Sequence, residues 1–245
     1  QLRMKEVKKE NQPIIKLSRL NKIGYSGVKI IVTFIRHFFC AFYKKEIMKK
    51  LFVFLSIFVI VVSFKNFTTL PIGSSIPKAT LKLKDVSGKE IMLNDAKKEN
   101  GLLVMFSCNT CPVVIANQSR TKEVCQFASD KKIGVVILNA NEGDRDGGNS
   151  FEAMQSYAHQ QNYNWFYAVD KNSELADAFG ANKTPECFLF DKNGKLVYHG
   201  AIDDSPGNAN TVKRHHLKEA IGELIAGKNI SVSETRSIGC SINRR

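Results

Sequence analysis

Leu102-Leu-Val-Met-Phe-Ser-Cys108-Asn-Thr-Cys111-Pro112 is the stretch that decides how this chain folds. Gly101 is followed by an uninterrupted apolar run from Leu102 to Phe106, the pattern of a strand buried on both faces. Two cysteines three positions apart come next. Pro112 then fits the first turn of a helix, where its missing N–H costs little. The helix is predicted over about Thr110 to Ser129, with Val124, Phe127 and Ala128 spaced i, i+3, i+4. Cys108 and Cys111 therefore sit where a buried strand hands over to a helix. The first helical turn presents unpaired N–H groups and the positive end of the dipole. A thiol there is readily held as its thiolate, the nucleophile of disulfide exchange. The second thiol lies one helical turn on, close enough to close a disulfide with the first. Cys108, nearer the strand end, is expected to be the exposed, attacking sulfur, and Cys111 the more buried, resolving one.

Outward from this junction, strands and helices alternate. Thr80–Lys84 and Glu90–Leu93 flank a turn at Asp85–Gly88 and predict a short hairpin. Ile133–Asn139 is a second buried strand run. Phe151, Met154 and Ala158 mark a helix, Phe166–Val169 a short strand, and Glu174–Phe179 a short helix closed by Gly180. Cys187–Phe190 and Leu196–His199 flank Asp191-Lys-Asn-Gly194, a hairpin signal because Asn-Gly tolerates positive φ. Leu217, Ile221, Leu224 and Ile225 form the apolar stripe of a last helix. The order predicts an α/β fold: a central mixed β-sheet flanked by helices, ending in an antiparallel hairpin and a closing helix. The domain is expected over 80–228, with 66–79 as a linker and 229–245 as a C-terminal tail.

The chain carries 36 Lys and Arg against 23 Asp and Glu, a formal net charge of +13. Residues 1–65 hold 14 of the basic and 3 of the acidic residues, leaving 22 against 20 for the remainder. The excess belongs to the N-terminal end, which excludes nucleic-acid binding by the main domain. Met48-Lys49-Lys50 precedes Leu51–Phe64, fourteen residues that are apolar except for two serines. This predicts a signal peptide or short membrane anchor over 48–65 and an exported domain, periplasmic or anchored facing the exterior. The apolar run falls short of the roughly 20 residues of a spanning helix. Residues 1–47 read as a basic leader or an upstream over-read.

The metal and cofactor readings of the cysteines fare less well. Tetrahedral zinc needs two ligands beyond one C-x-x-C, and the rings of adjacent His215 and His216 diverge on a helix. Haem attachment needs a histidine where Pro112 stands. The loop Asn141–Gly148 has calcium-like aspartates at 144 and 146, but Gln155 occupies its twelfth position. It is expected to be a solvated loop bordering the site. Cys125 and Cys187 are expected in the core, although Cys187, two residues after Pro185, shares a strand face with it. Asp203-Asp204 is expected as a surface turn. No metal or organic cofactor is expected.

From about Leu81 to Ala226 the chain resembles the thioredoxin superfamily in its redoxin, peroxiredoxin-like branch. The matching residues are Phe106-Ser-Cys108-Asn-Thr-Cys111-Pro112, Lys183-Thr184-Pro185 before the hairpin, and Phe188-Leu-Phe-Asp-Lys-Asn-Gly194. The resemblance implies that Pro185 is a cis-proline facing the dithiol. It also implies that the Thr184 backbone pairs, strand-like, with a substrate chain around its cysteine. The tail Glu234-Thr-Arg-Ser-Ile-Gly-Cys240-Ser-Ile242 also looks like this group, so Cys240 is a candidate additional resolving or relay thiol. The implied activity is thiol–disulfide oxidoreduction: Cys108 attacks a protein disulfide, Cys111 releases it, and a redox partner regenerates the dithiol. Thiol peroxidase activity is an alternative. The usual peroxidatic pattern needs Thr three before the cysteine and Pro four before that, and these are Cys108 and Val104 relative to Cys111. A copper chaperone using both thiolates and a histidine such as His199 is a second alternative.

Overall fold

The computed structural model describes residues 68–245. The expected leader and anchor, residues 1–65, lie outside the described residues. In chain order the elements are β1 (Leu83–Asp85), β2 (Glu90–Ile91), α1 (Leu93–Ala96), β3 (Gly101–Ser107), α2 (Pro112–Asp130), β4 (Ile133–Asn139) and α3 (Phe151–Gln161). Then follow β5 (Phe166–Val169), α4 (Glu174–Phe179), β6 (Lys183–Thr184), β7 (Glu186–Phe190), β8 (Leu196–Gly200), α5 (His216–Ile225) and β9 (Cys240–Ser241). Seven strands form one mixed sheet in the order β2-β1-β5-β4-β3-β7-β8, and β6 pairs with β9 in a separate two-stranded ladder. β3, β4 and β5 run parallel, while β7 is antiparallel to β3. The expected α/β architecture is the observed one.

The apolar runs are continuous because both faces of the sheet are covered. Leu102, Val104 and Phe106 of β3 point into one core layer with Val136, Leu138, Phe188 and Phe190, beneath α4. Leu103 and Met105 point the other way, with Ile137, Cys187 and Leu189, beneath α2, α3 and α5. Near the end of β3, Phe106, Phe179 and Phe188 meet edge to face with ring centroids 5.1–5.7 Å apart. Cys125 and Cys187 are both fully buried in the second layer. Burial pushes both thiols above the ordinary range and favours their protonated form.

Several local expectations are corrected. The described part of the linker, 68–79, packs on the domain: the Leu70 N–H donates to Phe179 O (2.9 Å), the Gly73 N–H to Leu196 O (2.8 Å), and Leu70 and Ile76 touch the core. In the β7–β8 turn only Gly194 has positive φ, because Asp191 Oδ1 accepts from the Asn193 and Lys195 N–H groups and builds a longer loop with a bulge at Leu189/Phe190. Asp203 is buried, not a surface residue, and pairs with Arg120 of α2 (Nε–Oδ2 3.1 Å), whereas Asp204 is exposed. Among the described residues no helix is long and apolar enough to cross a membrane.

The register places the site. Phe106 of β3 lies opposite Glu186 of β7, so two residues further on Cys108 faces the chain at Thr184. The C-terminal ends of β3 and β4 therefore meet the bend that leads into β7.

Candidate active site

Cys108 follows the last residue of β3, and Cys111 is the N-cap of α2 with Pro112 in the first helical position. The Cys111 carbonyl accepts the first helical bond, from the Ile115 N–H (3.0 Å). The Thr184–Pro185 peptide bond is cis. Cys108 Sγ lies 3.5 Å from Thr184 Oγ1, and Cys111 Sγ lies 3.5 Å from the Thr184 carbonyl oxygen. The structure thus gathers Cys108, Cys111, Thr184 and Pro185 in one place, although 76 residues separate Cys108 from Thr184.

Two expectations do not hold. The disulfide joins Cys111 to Cys240, with Cα atoms 6.0 Å apart, and leaves Cys108 a free thiol. Cys108 is also not exposed: it and Cys111 are 2% and 3% accessible. Both corrections have one cause, the C-terminal tail. Its strand β9 pairs antiparallel with β6, Cys240 opposite Thr184 and Ser241 opposite Lys183. Ile242 is buried in the core layer under α4, and its N–H donates to Asn182 O (3.0 Å). The tail covers the thiols and brings a third sulfur to them. The backbone edge at Thr184 is therefore occupied by the chain's own cysteine strand.

Sequence reasoning missed the polar network that fixes the Asn109-Thr110 bridge. The Asn109 N–H donates to Asn149 Oδ1 (3.0 Å), its amide to Gly148 O (2.9 Å), and Tyr167 Oη donates to Asn109 Oδ1 (2.6 Å). Asn139, at the end of β4, donates to Asn149 Oδ1 (2.8 Å) and Tyr167 Oη (3.0 Å). Asn149 Nδ2 reaches Thr110 Oγ1 (3.2 Å) and Asp144 Oδ2 (2.7 Å). Asn139, Asn149 and Tyr167 are essentially inaccessible, so these bonds satisfy groups that water cannot reach. The 141–148 loop does border the site, but it is not simply solvated: Asn141 and Glu142 are buried, and Arg145 pairs with Glu142 (2.7 Å). Burial, and secondarily the nearby Cys108 sulfur, raises Tyr157, and burial dominates the larger rise at Tyr167, so both phenols stay protonated. The only advance signal was a polar residue at the end of β4 and another opening α3.

Beneath the bend, buried Glu186 ties down the turn into Thr184. Its Oε2 accepts the Asn182 and Lys183 N–H groups (2.8 and 2.9 Å), and its Oε1 binds His199 Nε2 (2.7 Å). His199 also stacks on Phe188, with centroids 4.6 Å apart. Through Glu186 its imidazole ties β8 to the turn that leads into Thr184. Among the described residues no group of three or more His, Cys, Asp or Glu is placed to hold a metal ion.

The family model described as Redoxin matches residues 71–215. The thiol-disulfide oxidoreductase ResA of Bacillus thuringiensis (strain Al Hakam) is 25% identical over 134 residues, 55% of this chain and 72% of that protein. Among solved structures, an uncharacterized conserved protein from Geobacillus kaustophilus superposes with a TM-score of 0.68 at 30% identity, over 73% of this chain and 94% of that one. A hypothetical protein from Sinorhizobium meliloti 1021 gives a TM-score of 0.67 at 28% identity, over 73% and 97%.

Proposed function

The chain belongs to the Redoxin family, and from that premise we propose that it is a thiol–disulfide oxidoreductase whose electrons are carried by Cys108, Cys111 and Cys240, with no organic cofactor. The observation that carries this reading is three sulfurs gathered on one backbone bend, two bonded and one a free thiol beside them. Cys111 is the shared centre. The Cys108 thiolate attacks Cys111 Sγ, the Cys108–Cys111 bond forms, the Cys111–Cys240 bond breaks, and Cys240 leaves as a thiolate. The reverse step returns the state described here. One disulfide thus passes between the C-x-x-C pair and the tail without any external oxidant. Protein thiols and disulfides are the substrates, and a separate redox partner resets the three sulfurs. The Thr184–Pro185 bend holds the cysteine-bearing strand in register for the exchange.

Reduction of insulin disulfides by the full chain with dithiothreitol as the electron donor, compared across single Cys→Ser variants, tests this. Cys111→Ser is expected to abolish turnover, because the one remaining pair, Cys108 and Cys240, lacks the central sulfur. Full turnover by Cys111→Ser would overturn the proposal.

The pairing of Cys111 with Cys240 also favours a second reading, thiol peroxidase activity. Peroxide would oxidise the Cys111 thiolate to a sulfenate, releasing the other oxygen as water. Cys240 would then condense with it, releasing a second water and leaving the disulfide observed. Peroxide consumption that is lost in Cys111→Ser but retained in Cys108→Ser would select this chemistry. Residues 48–65 support export, with the domain on the periplasmic or outer face of a membrane. Fractionation of cells expressing the whole chain, with and without residues 48–65, tests that placement.

A further inference from the structure

The tail is fastened on both sides of Cys240. Upstream, the Thr235 N–H donates to His199 O (2.9 Å), and Thr235 Oγ1 accepts from the Ala201 N–H (3.0 Å) and bonds Tyr198 Oη (2.8 Å). At Gly200, whose φ is +148°, a Cβ would overlap Thr235. Downstream of buried Ile242, the Asn243 N–H donates to Asn141 Oδ1 (2.9 Å), and its carbonyl accepts from the Gly143 N–H (2.8 Å). At Gly143 a Cβ would overlap the Asn243 side chain, and at Gly239 a Cβ would overlap the Thr184 carbonyl oxygen. Arg244 reaches Asp177 Oδ1 (2.8 Å) and Ala181 O (2.6 Å). A substrate strand can take the Thr184 edge only by displacing β9, which these contacts hold in place on both sides. Cys108 and Cys111 lie beneath the tail, while Cys240 is partly exposed. Of the two bonded sulfurs, Cys111 stands at the N-terminus of the 19-residue helix α2, which stabilises it as the departing thiolate.

We propose that Cys240 is the catalytic sulfur through which the site exchanges with its surroundings, and that its co-reactant is a thiol presented without a docking strand, on a small molecule or at the surface of a folded protein. This rests on the oxidoreductase reading above. An external thiolate attacks Cys240 Sγ. The external sulfur–Cys240 bond forms, the Cys240–Cys111 bond breaks, and its electron pair stays on Cys111. A second external thiol then displaces Cys240, so two external thiols become one disulfide and the protein gains both electrons.

The test uses the full chain oxidised at Cys111–Cys240 and carrying Cys108→Ser, which blocks internal exchange. It is mixed with stoichiometric reduced glutathione in one arm and a reduced thioredoxin in the other, quenched with acid within the first turnover and digested with trypsin. Cys240 falls in the peptide Ser237–Arg244, and Cys111 in Glu99–Arg120. In each arm that reacts, at least about tenfold more mixed disulfide is expected on Ser237–Arg244. The faster arm identifies the source of the thiol. Gly239→Ala in the same background lifts β9 from Thr184 and is expected to erase that preference. Adduct mainly on Glu99–Arg120 without the Gly239 change overturns the assignment of Cys240 while leaving the oxidoreductase reading intact. Failure of both thiols to react, together with failure to reduce insulin, overturns both.

Discussion

Asn149 shows how much of the site depends on residues that carry no redox chemistry. Its side chain accepts from the Asn109 N–H and from Asn139, and donates to Thr110 and Asp144. Asn149→Ala would strand the Asn109 N–H and remove one of the two acceptors of the Asn139 amide where no water reaches them, and each lost partner costs about 1–3 kcal/mol. A loss of about 2–4 kcal/mol in unfolding free energy is expected, read by urea denaturation of the oxidised protein. Tyr167→Phe removes the donor to Asn109 Oδ1 and one acceptor of the Asn139 amide, which keeps its bond to Asn149, and is expected to cost about 1–2 kcal/mol in the same assay. If the two variants cost the same, the network is not centred on Asn149.

Among the elements, α4 carries a built-in pH dependence. Asp170 precedes it and accepts the Leu175 and Ala176 N–H groups (2.8 Å each), yet burial outweighs those bonds and raises its carboxyl to about 6. In the unfolded chain the same group titrates near its ordinary value of about 4. Between these two values the folded protein binds more protons than the unfolded one. The contribution of Asp170 to stability therefore falls as pH rises through this window, by about 3 kcal/mol in all. Asp170→Asn cannot ionise, so its stability relative to the parent should climb from pH 4 to pH 6.5 and then level off. Parallel urea titrations across that range read the difference, and a constant difference would exclude Asp170 as its source. Helix α2 depends on a different buried charge. Arg120→Ala leaves Asp203 unpaired and should cost about 3–5 kcal/mol, measured by the same denaturation.

For the molecule as a whole, the Cys111–Cys240 bond ties the C-terminal tail to the start of α2 across 129 residues. Closing so long a loop restricts the unfolded chain strongly, and reduction is expected to lower unfolding free energy by about 2–4 kcal/mol. The tail keeps its noncovalent fastenings at Thr235 and Ile242, so only the span between them should loosen. Hydrogen exchange on the reduced and oxidised protein is expected to differ at 236–241 and to agree across β3, β4 and β7. Release of the entire segment from 233 onward on reduction would show that the disulfide, not the packing, holds the tail.

Local order was written in the chain itself. A short unbroken apolar run after a glycine suits a strand covered on both faces, so Leu102–Phe106 placed β3 inside the sheet, and Pro112 set where α2 begins. Periodicity and turn residues likewise exposed the hairpin, the closing helix and the inert burial of Cys125, because these follow from neighbours within a few positions. The redox pairing did not. Which sulfur bonds Cys111 depends on whether a polar-looking tail finds acceptors at Thr184, Asn182 and Asn141, and glycines at 143 and 200 that leave room for it. The burial of Cys108 and Asp203 and the gathering of Asn109, Asn139 and Asn149 share that origin. They join groups from 10 to 129 positions apart, and only the packing of the finished fold brings such partners within bonding distance.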